Sequence, residues 1–515
     1  MFNNKYINLT KNLLEAIRDK EPQKSLEKAK ELFEEIFGKR FAEEIDKNGI
    51  LRYNSLSGPE ENIQYWGVLY ENAPQSGVYE NFSLVLFPDN KETSEQLLLC
   101  YGIGTGGITD DAEWLGIPRI KRQIKLLLKF IEKEGWNVKE TKTFVKNDIT
   151  DEHSEIPRSI KSDLGHFAEY SELWRKYGKY LPSVCVINPD NNGAKAFLAH
   201  LILYATFRNW PLRKTFQDIW NQKLLPNLIE LWRTYLSVEE LSEYLLKRKY
   251  LILQGPPGTG KTYLAEEIAK SLKEDSKIAD YNIIQFHASV SYEDFVEGIK
   301  PDVNSNQLIF KEYKGPLLES IERAKGVEKE NKGYVLIIDE INRGDLAKIL
   351  GEAIFLLEPD EERKIRLRSG KEISMPKNLY IIGTMNTADR TIAILDFAIR
   401  RRFAFIDVWP SGKKLKDILD KNGVGDDVKE LAMRYYNQIQ NIFFEYATDE
   451  DLHLQPGHTY FIARSKNELE NKLKYEIVPL LREYINEGRL PLAKDEILGF
   501  IDDVLRESRG IQHES

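Results

Sequence analysis

A chain of 515 residues, 42% apolar and 30% charged, has room for about two to four domains with real cores and is too evenly mixed to be disordered or fibrous. Its formal net charge of −9 excludes a basic coat for nucleic acid over the whole surface, though a local basic patch is still compatible with it. No run nears the roughly eighteen apolar residues of a membrane span, and MFNNKYINLTKN lacks a signal-peptide core, so the expectation is a cytoplasmic protein with no membrane contact.

Residues 5–48 carry apolar positions at helical spacing in two blocks: Ile7, Leu13, Leu14 and Ile17, then Leu26, Ala29, Leu32, Phe33 and Ile36. The period shortens to that of strands over 66–70, 83–87 and 97–101, separated by the turn-forming runs 74–77 and 88–90. A helix over 119–134 completes an α+β domain expected to span 1–160. Its aromatic residues Tyr53, Tyr65, Trp66, Tyr70, Tyr79 and Phe82 have two readings: core packing, the ordinary fate of such side chains, or a pocket that stacks a nucleotide base. Arg119, Lys121, Arg122, Lys125 and Lys129 follow one another with no acid between them, and 121, 125 and 129 share a helix face. That face is either solvated or tracks phosphates. Cys100 and Cys185 each sit alone in an apolar run and read as buried free thiols.

The span 161–236 reads as a helical connector. Its helical stretches carry Trp174, Trp210, Trp220 and Trp232 as packing residues, with a short apolar run at 184–187 and no recognisable chemistry. Ser237 is placed to cap the next helix.

Chemistry begins at Tyr250. An apolar strand leads into Gly255-Pro256-Pro257-Gly258-Thr259-Gly260-Lys261-Thr262, followed by Tyr263 and an amphipathic helix, and fits G-x-x-x-x-G-K-S/T at every fixed position. Glycines let backbone N–H groups turn inward, and the helix start adds its positive dipole end, which makes a phosphate cradle. Lys261 would reach the outer phosphates, and the Thr262 hydroxyl would hold Mg²⁺. A second apolar strand ends in Asp339 and Glu340, the first suited to the Mg²⁺ shell and the second to activating water. A third ends in Asn386, whose amide would lie beside the terminal phosphate. Arg400, Arg401 and Arg402 then follow a short helix. They form a solvated basic turn, or one of them, with Arg401 and Arg402 as the candidates, neutralises phosphate charge on a neighbouring subunit.

The phosphate loop, Phe286-His287 with 291–295, the run from Ile337 to Arg343, Met385-Asn386-Thr387-Ala388-Asp389-Arg390, 399–403 and Gly457-His458-Thr459-Tyr460-Phe461 together resemble the AAA+ motor of the McrB family over about 250–488. The resemblance implies an α/β AAA+ P-loop core over 237–410 with a small helical lid over 411–515. It also implies a GTP-hydrolysing homo-hexameric ring, a separate McrC-like nuclease subunit, and roles for Asn386 at the sensor position and for Asp389 and Arg390 on the signature loop. A patchier similarity, over 75–79, the strand to Phe87 and 98–102, links the first domain to the McrB-type reader of modified double-stranded DNA, with Tyr65 and Trp66 at its pocket aromatics. GTP rests on this resemblance alone, since the phosphate loop reads no base and no Asn-Lys-x-Asp element occurs. No strand-borne nuclease acid set stands outside the motor, so cleavage is expected from another chain. The competing readings are an ATPase that remodels protein without binding DNA, and a nucleotide-gated scaffold, against which the intact Glu340 and Asn386 count. A hairpin around Ser369-Gly370 is expected to project from the core.

Overall fold

The computed structural model describes residues 1–44, 50–53, 63–69, 82–91, 94–103, 118–138, 164–170, 173–174, 183–233, 235–301, 310–358, 363–388 and 397–507. The chain divides into two units, Met1–Thr234 and Tyr235–Ser515.

In the first unit, β1 (Leu51–Tyr53), β2 (Trp66–Val68), β3 (Phe82–Pro88), β4 (Leu97–Ile103) and β5 (Ser183–Ile187) form one antiparallel sheet in sequence order. The expected helices appear as Asn4–Arg18, Pro22–Phe37 and Pro118–Lys133. β5 is a departure from the expected layout. The apolar run assigned to a separate connector is the edge strand of this sheet, bonded to β4, and the next helix, Asn191–Phe207, packs on the sheet through Tyr101 and Tyr204. A helix whose residues are buried nearly all round belongs inside a core, as this one does. Cys100 and Cys185 are free and buried.

The two faces of the sheet are covered separately. Val85, Phe87, Leu98, Cys100, Val184 and Val186 face a cluster containing Leu164, Phe167 and Trp174. Trp66, alternate to these along the pleat, faces Phe197 of the Asn191–Phe207 helix.

The second unit opens on Val238–Arg248, a helix started by a capping box in which the Ser237 side chain and Glu240 satisfy each other's backbone N–H. Its strands are β6 (Tyr250–Gly255), β7 (Ile278–Gln285), β8 (Glu297–Pro301), β9 (Phe310–Lys314), β10 (Gly333–Asp339), β11 (Lys364–Arg366), β12 (Glu372–Ser374), β13 (Leu379–Asn386) and β14 (Ala404–Asp407). Five make a parallel sheet in the order β14-β6-β13-β10-β7, the other four pairing as two hairpins. Along β10, Tyr334, Leu336 and Ile338 enter one core while Val335 and Ile337 enter the core on the other face. Burial on both faces is why these strands read as unbroken apolar runs, and each fully buried aliphatic side chain contributes about 1.5–3 kcal/mol. Because every connection returns the chain to the same sheet edge, the ends of β6, β10 and β13 meet there. The hairpin around Gly370 is β11–β12, tied to β8 by the Ser369 N–H and hydroxyl donating to the Glu297 carboxylate at 2.9 and 2.7 Å. Helices Gly412–Lys421, Asp426–Tyr446, Val478–Asn486 and Lys494–Glu507 follow the sheet as the lid.

Candidate nucleotide site

Gly260 takes a left-handed conformation, φ +74°, as the last residue before the Lys261–Glu274 helix, turning the chain so that the helix start faces the loop. Thr259 is buried, and its hydroxyl donates to the Pro256 carbonyl at 3.1 Å, fixing the loop from inside. The Lys261 ammonium is 7% exposed and donates to the carbonyls of Gly255 and Pro256 at 3.1 and 2.7 Å. An ammonium held at this depth by loop carbonyls is favoured further by an anion beside it, the electrostatic role a polyphosphate plays.

The lid grips the outside of the same loop. The Gly457 N–H donates to Pro257 O at 2.9 Å, and the Thr459 N–H and hydroxyl donate to Gly258 O at 3.1 and 2.9 Å. With these carbonyls held outward by the lid, the peptide N–H groups that follow are directed the other way. The backbones touch: a methyl group placed on Gly457 would lie 2.0 Å from the carbonyl carbon and oxygen of Gly258. Behind the clamp, burial pushes the His458 imidazole down to about 4, helped by the charge of Lys414, so the ring is neutral and its Nδ1 accepts from the Ser411 N–H at 3.4 Å.

At the strand ends, Asp339 Oδ1 accepts from the hydroxyls of Thr262 and Thr384, each at 2.6 Å, and Oδ2 lies 3.5 Å from Gln285 Nε2. The backbone N–H of Glu340 donates to Thr384 Oγ1 at 3.2 Å, and Glu340 Oε1 accepts from Asn386 Nδ2 at 2.6 Å. Glu340 itself has φ +53°, a conformation uncommon for a side chain of this size and one that aims the carboxylate across the strand ends. Its second oxygen lies 3.4 Å from Arg343 Nε. Asn342 is buried and donates to the Asn386 carbonyl at 3.2 Å, pinning the end of β13 to the turn after β10.

The expected residues thus converge: the loop from Gly255 to Thr262, Asp339, Glu340 and Asn386 share one sheet edge. Tyr263, next in the helix, is 60% exposed with Lys270 over its ring at 5.9 Å. Of the arginines, Arg402 is turned inward, 4% exposed, with Nη2 donating to Glu358 Oε1 at 2.6 Å, while Arg401 lies at the surface and reaches the same oxygen at 3.2 Å. A residue held in a buried ion pair is not available to a neighbouring subunit, which corrects the expectation for Arg402. Asp389 and Arg390 lie outside the described residues, as does Tyr79.

The base-stacking expectation for Trp66 is also corrected. It is 2% exposed and packs on Phe197, while Tyr65 packs beside Phe87 on the other face of the sheet, so the two do not line one pocket. Tyr53 lies in β1, opposite Trp66. Arg122 is buried over the Trp232 ring at 4.9 Å, whereas Lys125 and Lys129 are exposed. Lys121 and Arg119 are intermediate. Asn342 and the Gly457–Thr459 clamp lie in matched motifs that assign them no contact, and Thr384 is given no role there although it stands two residues before Asn386 on the same strand face.

The AAA domain family (dynein-related subfamily) matches residues 250–403. The EcoKMcrB subunit of the type IV methyl-directed restriction enzyme of Escherichia coli K12 is 34% identical over 295 residues, 53% of this chain and 61% of that one. Residues 250–403 thus carry an AAA domain, within a chain that is similar to the EcoKMcrB subunit. This chain spans less than two thirds of that relative's length. The YdiS component of the type II restriction enzyme BsuMI of Bacillus subtilis 168 is 25% identical over 45% of this chain and 78% of its own. A solved chain from Cytophaga hutchinsonii, described as a candidate ATPase, aligns over 39% of this chain and 58% of its own at 15% identity with a TM-score of 0.26, too low to argue from.

A nucleoside triphosphate and Mg²⁺ are implied by the AAA domain and suit the side chains present. The Thr262 hydroxyl and Asp339 carboxylate are hard oxygen donors 2.6 Å apart, the small protein share of a magnesium shell that phosphates and water complete. Among the described residues no set of three His, Cys, Asp or Glu side chains could cage a metal by itself, and no helix is long and apolar enough to cross a membrane.

Proposed function

We propose that this chain is the GTP-hydrolysing motor and DNA-recognition subunit of a modification-dependent restriction system. It would act as a homo-hexameric ring with a separate McrC-like nuclease subunit. The observation that carries the motor reading is the linked set Thr262–Asp339–Thr384 and Glu340–Asn386 at the carboxyl edge of the parallel sheet. There Lys261 and the loop bind phosphates, and Thr262 and Asp339 hold Mg²⁺, which neutralises charge on the phosphates when bound. Glu340 orients and deprotonates the attacking water, and Asn386 fixes the rotamer of Glu340 through its amide. Arg401, more exposed than Arg402, is the better placed to serve a neighbouring site.

Recognition of DNA is assigned to the first unit, with Lys125 and Lys129 on its surface as phosphate contacts. The names of the two bacterial relatives, both restriction components, support this reading and the nuclease partner. An ATP-driven protein remodeller is the second reading, favoured by the one observation that Trp66 serves the core. Purified chain, with and without a nuclease partner, is to be compared for GTP and ATP turnover and for retention of methylated duplex. Preferential ATP turnover with no DNA retention would overturn the first reading in favour of the second. Lys261→Ala should lose nucleotide binding, and Glu340→Gln should bind but turn over slowly; wild-type turnover in either rejects the site.

A further inference from the structure

We infer that Thr384 is a positioning residue of the hydrolytic site: its single hydroxyl orients the magnesium-binding carboxylate of Asp339 and anchors the backbone of the water-activating Glu340. This inference rests on the nucleotide-site reading above. Thr384 lies inside β13, 2% exposed, in a run whose neighbours Ile381 and Ile382 serve the cores on the two sides of the sheet. A β-branched hydroxyl residue there is costly to bury unless its polar atom is used. It is used twice. The O–H donates to Asp339 Oδ1 at 2.6 Å, and the oxygen accepts from the backbone N–H of Glu340 at 3.2 Å.

The first bond fixes the rotamer of Asp339. Oδ1 also accepts from Thr262, so the carboxylate is anchored from the phosphate-loop side and from the β13 side at once. A short bond from a hydroxyl to a carboxylate is charge-assisted, and a ligand held from its far side is presented to a cation in one orientation. The second bond supports an unusual backbone. Glu340 sits at φ +53°, and the peptide N–H that enters this turn is satisfied by Thr384 Oγ1. The strand end that carries Thr384 also carries Asn386, which holds the Glu340 side chain. Backbone and side chain of Glu340 are therefore both referred to β13, and Thr384 makes the connection to the metal ligand next to it. Glu340 and Asp339 are adjacent in sequence; the hydroxyl ties the side chain of one to the backbone of the other.

The test uses the full chain and three variants. Thr384→Val keeps the shape and removes the hydroxyl, Thr384→Ser keeps the hydroxyl, and Asp339→Asn reports loss of the metal ligand. Binding of a fluorescent GTP analogue is titrated first in EDTA and then against Mg²⁺, followed by turnover. In EDTA, Thr384→Val should bind like wild type. Its half-saturating Mg²⁺ concentration should rise about 10–100-fold and its kcat fall by a similar factor, the usual effect of removing a group that orients a metal ligand. Thr384→Ser should recover most of both. Equal Mg²⁺ dependence and kcat in the valine variant and wild type would overturn the inference. So would loss of binding in EDTA, which would make the hydroxyl a support of the fold, or a serine variant as defective as valine. If wild type itself binds no nucleotide, the site reading fails instead, and that outcome is distinct from the others.

Discussion

Gly457→Ala is the sharpest perturbation of the lid clamp. At φ −69° and ψ 165° the backbone of Gly457 is open to alanine, so the substitution brings no conformational strain and its effect is steric alone. The added methyl would lie 2.0 Å from the Gly258 carbonyl carbon and oxygen and 2.6 Å from Pro257 O, all of them backbone atoms that have no rotamer through which to yield. Overpacking of this kind costs about 1–3 kcal/mol, and relief by withdrawing the lid forfeits hydrogen bonds contributing about 0.5–1.5 kcal/mol each. A net loss of about 2–4 kcal/mol would lower the melting temperature of a unit this size by roughly 4–15 °C. Nucleotide affinity should fall at least about tenfold, since 1.4 kcal/mol of disordering in the loop is enough for that. Differential scanning fluorimetry and a titration with a fluorescent GTP analogue check both numbers. A Gly457→Ala protein with wild-type melting and wild-type affinity would refute the clamp.

Gly499→Ala is the matched control: it lies inside the Lys494–Glu507 helix with nothing within 4 Å of the new methyl, and should stabilise by about 0.5–1 kcal/mol in the same melting assay. Arg402→Ala should destabilise by about 1–3 kcal/mol in chemical denaturation, because it leaves the partly buried Glu358 carboxylate with only the exposed Arg401 as partner. Arg401→Ala should leave stability unchanged and reduce turnover of the assembled protein; the opposite pattern would exchange their roles. For His458 the folded value of about 4 lies below the unfolded value near 6.5, so at intermediate pH the unfolded chain takes up the extra proton. Stability is therefore full above about pH 6.5 and is lost as pH falls towards 4, by up to about 3 kcal/mol from this residue. Denaturation midpoints of the second unit measured across that window should flatten in His458→Gln, and an unchanged slope would show that another group titrates.

The central strands were legible because a sheet buried on both faces leaves continuous apolar runs, and the chemistry at the ends of β6, β10 and β13 marks them further. Ser237 was legible because a cap is a local interaction closed within three residues. What escaped depends on direction or distance. Trp66 and Tyr65 are neighbours in the chain and face opposite sides of a sheet, which composition does not encode. The arginines at 400–402 are turned about 100° apart by the helix, so one buries its charge while its neighbour stays exposed. β5, a five-residue run among helices, gains its identity from pairing with β4 far back in the chain. Gly457 gives no local sign that it rests against Gly258.

The contact between those two glycines also restricts how such proteins can be recombined. The phosphate loop and the lid segment are one mould cast in two pieces, and where Gly457 meets Gly258 neither residue has a side chain that could be remodelled to fit a different counterpart. A chimera that takes the lid of a relative would keep its catalysis only if that lid carried a bare backbone at the same point and presented the same pair of N–H donors. The joint therefore behaves as an inherited unit, and an attempt to transplant the small helical region should preserve 457–459 together with 257–258 even when everything around them is exchanged.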